Sequence, residues 1–295
     1  WQKNERRNIE NISKRVVWIY GAPFSGKTFF ANQFPDLLML NTDGNIRFVD
    51  APYISIKDNV TVEGRRTIRT LAWQIFKDTI AELEKKENDF KTIVVDLLED
   101  MYEHCRIYMY DQMGITHESD DSFRAWDKVT TEFLSTLKRL MNLNYENIIL
   151  LSHEDSTKDI TKKSGDKITS IKPNIREKIA NKVAGMVDIV ARAIAENDVY
   201  TLNFKQSEVV FGGGRFAITE TEIPSEYEAF IKRHHGAAER RWPAPRSLPA
   251  CHARVHHRAR RRPADRRRTT RATRHSHAAA SAHPARTSVN QWWAR

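Results

Sequence analysis

Residues Gly21-Ala-Pro-Phe-Ser-Gly26-Lys27-Thr28 decide the fold, because they match the pattern G-x-x-x-x-G-K-[ST] at every fixed position. The run Arg15-Val-Val-Trp-Ile-Tyr20 precedes them and is short, apolar and β-branched, which predicts a buried strand. The residues that follow Thr28 are predicted to form a helix. A glycine-bounded turn between a buried strand and a helix is the setting in which this pattern forms a phosphate-binding loop.

Each residue type in the loop suits phosphate binding. Gly21 and Gly26 permit backbone angles and a close approach that a Cβ would obstruct, so successive N–H groups can surround a phosphate. Lys27 supplies charge for the β- and γ-phosphates, the Thr28 hydroxyl is a ligand for Mg²⁺, and the following helix directs its positive end at the anion. The alternative is a chance glycine turn with a surface lysine. The predicted cofactors are ATP and Mg²⁺, and the predicted nucleotide-binding residues are Gly21, Ala22, Pro23, Phe24, Ser25, Gly26, Lys27, Thr28 and Phe29.

Strands and helices alternate along the rest of the body. Further buried strands are predicted over 37–41, 91–96 and 146–152. Helices are predicted over about 61–86, 97–113, 122–142 and 174–185. Residues 187–195 and 198–205 predict a final hairpin turned at Glu196-Asn197, whereas 155–175 are polar and aperiodic and predict a mobile loop. This order predicts an α/β fold with a mostly parallel sheet flanked by helices and with terminal antiparallel strands.

Two acidic residues that follow strands are candidates for the chemistry of hydrolysis. Asp96 ends the strand Thr92-Ile-Val-Val-Asp96 and would hold the metal opposite Thr28, although any α/β protein can end a strand with Asp. The next residue is Leu97, so an acid that activates water must come from elsewhere. Asp43 in Thr42-Asp43-Gly44 is the best candidate, and simple turn formation is its alternative. Glu99 is interpreted as an acid at a helix start.

The setting of Asp43 resembles the RecA/RadA recombinase core, where a glutamate occupies this place. Residues 10–220 more closely resemble the phage-encoded RecA-like ATPases, which are often labelled phage nucleotide-binding protein or AAA-family ATPase. The resemblance rests on GAPFSGKT, NTDGN, TIVVD, Arg124-Ala-Trp126, Leu150-Leu-Ser-His-Glu154 and Val187-Asp-Ile-Val190. It implies a RecA-like fold, ATP binding and a role in phage DNA recombination or single-strand annealing.

The resemblance also implies roles for later residues. His153 would be a γ-phosphate sensor, or else a polar strand ending. Separately, the glycine run in Phe-Gly-Gly-Gly-Arg-Phe predicts a flexible turn that would let Arg215 or Lys205 reach a neighbour's nucleotide as an arginine finger, or else a loose loop. The basic segment 156–182 would be a single-strand DNA loop, or else a solvated one; it contains no aromatic residue, which favours phosphate contacts over base stacking. The predicted DNA-binding lysines are Lys158, Lys162, Lys163, Lys167 and Lys172. Implied partners are single-stranded DNA, further copies of the chain, and phage recombination or single-strand-binding proteins.

Charge separates the body from the last fifth of the chain. The 295 residues carry a net charge of +10, but residues 236–295 hold 15 Arg and two acids, which leaves −3 for residues 1–235. This tail contains no Ile, Lys, Phe or Tyr, so we predict disorder, either in a basic arm or in out-of-frame or fused coding sequence. No apolar run approaches the ~20 residues of a membrane span, and two cysteines form no disulfide framework. We expect a cytoplasmic protein, in the bacterial host if it is phage-encoded.

The sequence therefore favours a Mg-ATP-dependent RecA-like phage protein, an ATP hydrolase that acts on single-stranded DNA in recombination or replication. A nucleotide-gated binding protein with negligible turnover is a second hypothesis. A P-loop kinase for a nucleotide or small molecule is a third, and DNA-stimulated phosphate release would separate the first from the other two. Trp18, Trp73 and Trp126 lie in apolar settings and are predicted core residues.

Overall fold

The computed structural model describes residues 14–116, 123–161, 167–207, 209–215 and 220–235. All of them belong to the first of two units of the chain, Trp1–Trp242 and Pro243–Arg295. The predicted disordered tail, 236–295, lies outside the described residues. Among the residues that are described, no helix is long and apolar enough to cross a membrane.

Twelve strands and six helices follow one another in these ranges. In chain order they are β1 (Arg15–Gly21), α1 (Lys27–Ala31), β2 (Leu37–Asn41), β3 (Tyr53–Ser55), β4 (Asn59–Glu63), β5 (Arg66–Thr70), α2 (Ala72–Lys85), β6 (Thr92–Asp96), α3 (Leu98–Met113), α4 (Phe123–Met141), β7 (Asn147–Thr161), β8 (Lys167–Pro173), α5 (Glu177–Ala184), β9 (Ile189–Glu196), β10 (Val199–Asn203), β11 (Gly213–Gly214), β12 (Glu222–Pro224) and α6 (Tyr227–His235).

The central sheet has the strand order β12-β10-β9-β1-β7-β6-β2-β3. The strands from β9 to β3 pair in parallel, whereas β10 and β12 add to the β9 edge in antiparallel orientation. The predicted α/β class, with a mostly parallel sheet and terminal antiparallel strands, is confirmed. Strand β7 separates β1 from β6, so the strand that ends in Asp96 is not the direct neighbour of the strand that enters the glycine loop.

Helices cover both faces of the sheet, as the apolar strands require. Alternate residues of β1 enter two different cores, because side chains of a strand point to opposite faces. Trp18 and Tyr20 pack with Trp73 and Phe133 of the helices on one face, while Ile19 packs with Phe30, Phe34 and Phe230 on the other. Trp18 and Trp73 are fully buried as predicted, but Trp126 is half-buried, and the Arg176 guanidinium lies 3.6 Å from its ring centre.

The predicted helix over 61–86 is wrong in its first third. Residues 59–70 form the antiparallel pair β4–β5, and the helix begins only at Ala72. The β-branched residues Val60, Val62 and Ile68 favour extended backbone, and Gly64 supplies the positive φ of 63° that the turn needs. The helical spacing holds from Leu71 onward, whereas the segment before it has a periodicity of two.

The predicted mobile loop over 155–175 is also wrong. Strand β7 continues past the sheet to Thr161 and returns as β8, with a register shift between Asp155 and Lys158. The basic segment 156–182 is therefore a β-hairpin up to Pro173 and continues into helix α5, apart from residues 162–166, which lie outside the described part of the chain. The final hairpin β9–β10 is confirmed, with its two-residue turn at Asn197-Asp198, one position later than predicted.

Candidate nucleotide site

Three separate segments meet at the carboxyl edge of the parallel sheet. Gly21 at the end of β1 pairs with His153 of β7, and Asp96 at the end of β6 pairs with Leu151 of the same strand. Loops that follow parallel strands converge at this edge, which is where ligands bind in open α/β sheets. Residues about 130 positions apart in the sequence are thereby brought together.

The two glycines of the loop occupy places that a larger residue would not fit. A Cβ on Gly21 would lie 2.4 Å from the Ala193 carbonyl oxygen and 2.6 Å from Ser25 Oγ. Gly26 has a φ of 81°, and its Cβ would lie 2.9 Å from the ring of Tyr200. The fixed glycines of the motif are therefore required here by β9 and β10 as well as by the loop.

Lys27 is held inside the loop rather than extended into water. Its ammonium group donates hydrogen bonds to the carbonyl oxygens of Gly21, at 3.1 Å, and Ala22, at 2.8 Å, and the residue is 6% exposed. Burial lowers its pKa, while the nearby carboxylates of Asp96, Glu99 and Glu154 oppose that effect. The Lys27 ammonium group therefore lies within the loop, where it is hydrogen-bonded to carbonyl groups rather than paired with a carboxylate.

Thr28 and Asp96 lie together as the sequence predicts. Thr28 Oγ1 donates to Asp96 Oδ2 at 2.9 Å, although the two residues are 68 positions apart. Asp96 is 4% exposed, and burial is the main reason why its pKa rises to about 6; the Thr28 hydrogen bond and Lys27 act in the opposite direction. A hydroxyl and a buried carboxylate at this distance form a pair of oxygen ligands of the kind that Mg²⁺ takes.

Asp43 lies at the same edge, but its carboxylate is used by the turn. Oδ1 accepts from Asn41 Nδ2 and from the Asn45 backbone N–H, and Oδ2 accepts from Asn45 Nδ2, each at 2.9 Å. These contacts match the turn interpretation of Asp43. Its charge still reaches Asp96, whose pKa it helps to raise. The catalytic role of Asp43 remains a prediction.

His153 is tied to Glu99, a residue that the sequence had assigned only to a helix start. The backbone N–H of His153 donates to Glu99 Oε1 at 2.7 Å, and its ring Nδ1 lies 2.9 Å from the same oxygen. Burial raises the pKa of Glu99. Its other oxygen, Oε2, is buried and has no hydrogen-bond partner among the described residues. The signal that could have revealed Glu99 is its position three residues after Asp96, on the first turn of α3.

A cavity of about 1260 Å³ opens over these groups. Lys27, Thr28, Asp43, Asp96 and His153 line one part of it. Other lining residues are strongly exposed aromatic side chains, namely Phe24, Phe29, Phe48 and Tyr200. The predicted metal and sensor residues therefore share this cavity with most of the predicted loop residues, although Gly21, Ala22 and Ser25 do not line it.

Two remaining predictions do not join this cavity. Arg215 donates from Nη2 to the Gly185 carbonyl at 2.6 Å and from Nε to the Val187 carbonyl at 3.1 Å, and it lies 3.7 Å from Asp188. A finger role would require it to leave these contacts. In the β7–β8 hairpin, Lys158 and Lys172 pair with Asp155 and Glu177, Lys167 is exposed, and Lys162 and Lys163 lie outside the described residues.

The residues present fit a bound nucleotide and a metal ion. Ser25 Oγ is buried in the loop and has no hydrogen-bond partner among the described residues, as expected of a group that a phosphate would satisfy. Lys27, Thr28 and Asp96 supply the cation and the oxygen ligands. The described residues contain no group of three or more His, Cys, Asp or Glu that could hold a metal ion.

Comparison with known proteins agrees with this site. The model of the AAA domain family matches residues 13–216. The chain is similar to an ATPase from the type III secretion system of pathogenic bacteria, at 11% identity and a TM-score of 0.37, over 62% of this chain and 51% of that one. It is also similar to the flagellar accessory protein FlaH from Methanocaldococcus jannaschii, at 10% identity and a TM-score of 0.31, over 64% of this chain and 75% of that one.

The two likenesses have a limited scope. The chain spans about half the length of the secretion ATPase. Both TM-scores lie below 0.5, so neither likeness supports a statement about function. No curated protein matches the chain.

Proposed function

This chain belongs to the AAA domain family, and from the geometry of its site we propose that it binds Mg-ATP and hydrolyses it. The observation that carries the proposal is the meeting of Lys27, Thr28 and Asp96 at one cavity. Lys27 would hold the β- and γ-phosphates, exchanging its carbonyl partners for phosphate oxygens. Thr28 and Asp96 would hold Mg²⁺, which neutralises phosphate charge when bound.

The arrangement of the site favours the binding of nucleotide and metal ion. The Lys27 ammonium already lies beside the loop, so little side-chain freedom is lost when a phosphate arrives. Burial of the ionised Asp96 carboxylate costs free energy, and a bound divalent cation would remove that cost. Nucleotide and metal should therefore bind together more tightly than either does alone.

Calorimetry of the Lys27→Ala variant tests the nucleotide site. We expect ATP binding to be lost, because the substitution removes the loop's only side-chain charge. Lys128→Ala is the matched control, since Lys128 is exposed on α4 away from the cavity. If Lys27→Ala binds ATP with the affinity of the unmodified protein, the assignment of the loop is wrong. Phosphate release in the presence of Mg²⁺, with and without DNA, then separates hydrolysis from the switch and kinase hypotheses.

The finer part of the proposal is that the protein is a RecA-like phage protein that acts on single-stranded DNA through the β7–β8 hairpin. Strand β7 continues without a break from His153 at the nucleotide cavity into a hairpin that carries Lys158, Lys167 and Lys172. These lysines belong to a body whose net charge is −3. The salt dependence of DNA binding tests this part separately from ATP binding.

A further inference from the structure

The hydrogen bonds of Glu99 fix which nitrogen of His153 carries a proton. Glu99 Oε1 accepts the backbone N–H of His153, and Glu99 as a carboxylate can only accept hydrogen bonds. Nδ1, at 2.9 Å from the same Oε1, must then be the donor in its own contact. In the neutral ring Nε2 is left with a lone pair, and it makes no hydrogen bond to any of the described residues.

This arrangement leaves a proton acceptor among the residues that line the nucleotide cavity. His153 lines the cavity together with Lys27, Thr28 and Asp96. The other acidic groups around Lys27 have partners of their own: Asp96 accepts from Thr28, and Glu154 pairs with Arg192 at 2.8 and 3.2 Å. Asp43 is held by its turn. Among these groups, His153 Nε2 is the one that makes no hydrogen bond to the described residues.

We propose that Glu99 is a positioning residue that holds His153 with Nδ1 protonated, so that His153 Nε2 accepts the proton of the water that attacks ATP. The water oxygen bonds to the γ-phosphorus as its proton moves to Nε2. The bond from that phosphorus to the oxygen bridging to the β-phosphate breaks, which releases ADP and phosphate, and Nε2 then returns the proton to solvent. The inference rests on the proposed function and assigns His153 the role of acceptor rather than the donor role of a phosphate sensor.

The backbone contact makes a sharp test possible with Glu99→Gln and Glu99→Ala. The His153 N–H needs an oxygen opposite it, so the amide oxygen of Gln should take the place of Oε1 and keep Nδ1 as a donor. Ala removes both contacts. The matched control is Glu103→Ala, an exposed residue one turn further along α3 that pairs with Arg106.

The first measurement is ¹⁵N NMR of the full chain, with the His153 signals assigned from His153→Asn. We expect the Nδ1–H tautomer in the unmodified protein and in Glu99→Gln, and a shift toward Nε2–H in Glu99→Ala. This readout does not need turnover. An Nε2–H tautomer in the unmodified protein would overturn the inference even if ATP binds and is hydrolysed.

The second measurement separates kcat from nucleotide affinity. His153→Ala should lower kcat by about 100-fold and Glu99→Ala by at least about tenfold, with ATP affinity kept, whereas Glu99→Gln should recover most of the turnover. An equal loss in Glu99→Gln and Glu99→Ala together with weaker ATP binding would show a structural role and refute the positioning role. Unaltered kcat in Glu99→Ala would refute it too. Absence of ATP binding by the unmodified protein would instead refute the proposed function.

Discussion

The buried carboxylate of Asp96 should make the metal-free protein less stable at neutral pH than in mild acid. Burial raises the pKa of Asp96 in the folded state from an ordinary value of 3.8 to about 6. A group whose pKa is raised by folding adds stability below its unfolded pKa, and that stability is lost as the pH rises through the folded pKa. The full gap corresponds to about 3 kcal/mol, at about 1.4 kcal/mol for each pH unit.

Asp96→Asn isolates this contribution. The amide is neutral at every pH, and its oxygen can still accept from Thr28 Oγ1. We therefore expect the free energy of unfolding of the variant, minus that of the unmodified protein, to be about 2 kcal/mol larger at pH ~7.5 than at pH ~4, so that the variant is relatively more stable at neutral pH. Because two pH values are compared, any fixed cost of the unpaired amide N–H₂ cancels.

Urea denaturation in EDTA, without nucleotide, measures this difference. Asp127→Asn is the control, because Asp127 is exposed on α4 and should show no comparable pH dependence. The same Asp96→Asn variant should keep metal-free ATP binding and lose its strengthening by Mg²⁺. If the relative stability of Asp96→Asn is the same at both pH values, the carboxylate is not held at the energetic cost that its burial indicates.

Two further predictions concern the packing of the loop and the basic hairpin. Gly21→Ala should destabilise the protein by about 1–3 kcal/mol in urea denaturation, because its Cβ would meet a β9 carbonyl oxygen at 2.4 Å. Gly185→Ala is the control and should have little effect, because the nearest atom to its Cβ would lie at 3.4 Å. Equal losses of stability in the two variants would contradict the packing argument. Replacing Lys158, Lys167 and Lys172 with Ala should flatten the slope of log K for single-stranded DNA against log salt by about two, at about 0.7 per phosphate contact. As a control, replacing the exposed Lys85, Lys128 and Lys138 with Ala should leave the slope unchanged. The tail contributes equally to every full-length variant. An unchanged slope in the hairpin variant would exclude the hairpin lysines from contact with DNA.

The strands and the loop could be predicted from the sequence because local signals there agree. In β1, β2 and β6 every residue is buried, so continuous apolar runs mark them without knowledge of their neighbours. The eight residues of the loop are identified by the spacing of Gly21, Gly26, Lys27 and Thr28 alone. From these signals the pairing of Thr28 with Asp96 follows as well, because both lie where parallel strands end.

The sequence does not predict two hairpins, for different reasons. The segment over 59–70 has a period of two beside a helix with a longer period, and a single window spanning both indicates a helix. Its β-branched residues agree with the strands that form. The extension of β7 depends on pairing with β8, which no local signal reports.

The sequence by itself determined that a glycine loop, a lysine, a threonine and a strand-end acid would form one site, since the loop with Lys27 and Thr28 follows one apolar strand and Asp96 ends another. Only the tertiary structure decided what the neighbouring carboxylates do. Asp43 and Glu99 are both acids shortly after a strand, but Asp43 is held by Asn41 and Asn45, whereas Glu99 is held by His153, which lies 54 positions away. Hydrogen-bond partners that distant are set by sheet order and register, and these exist only once the chain has folded.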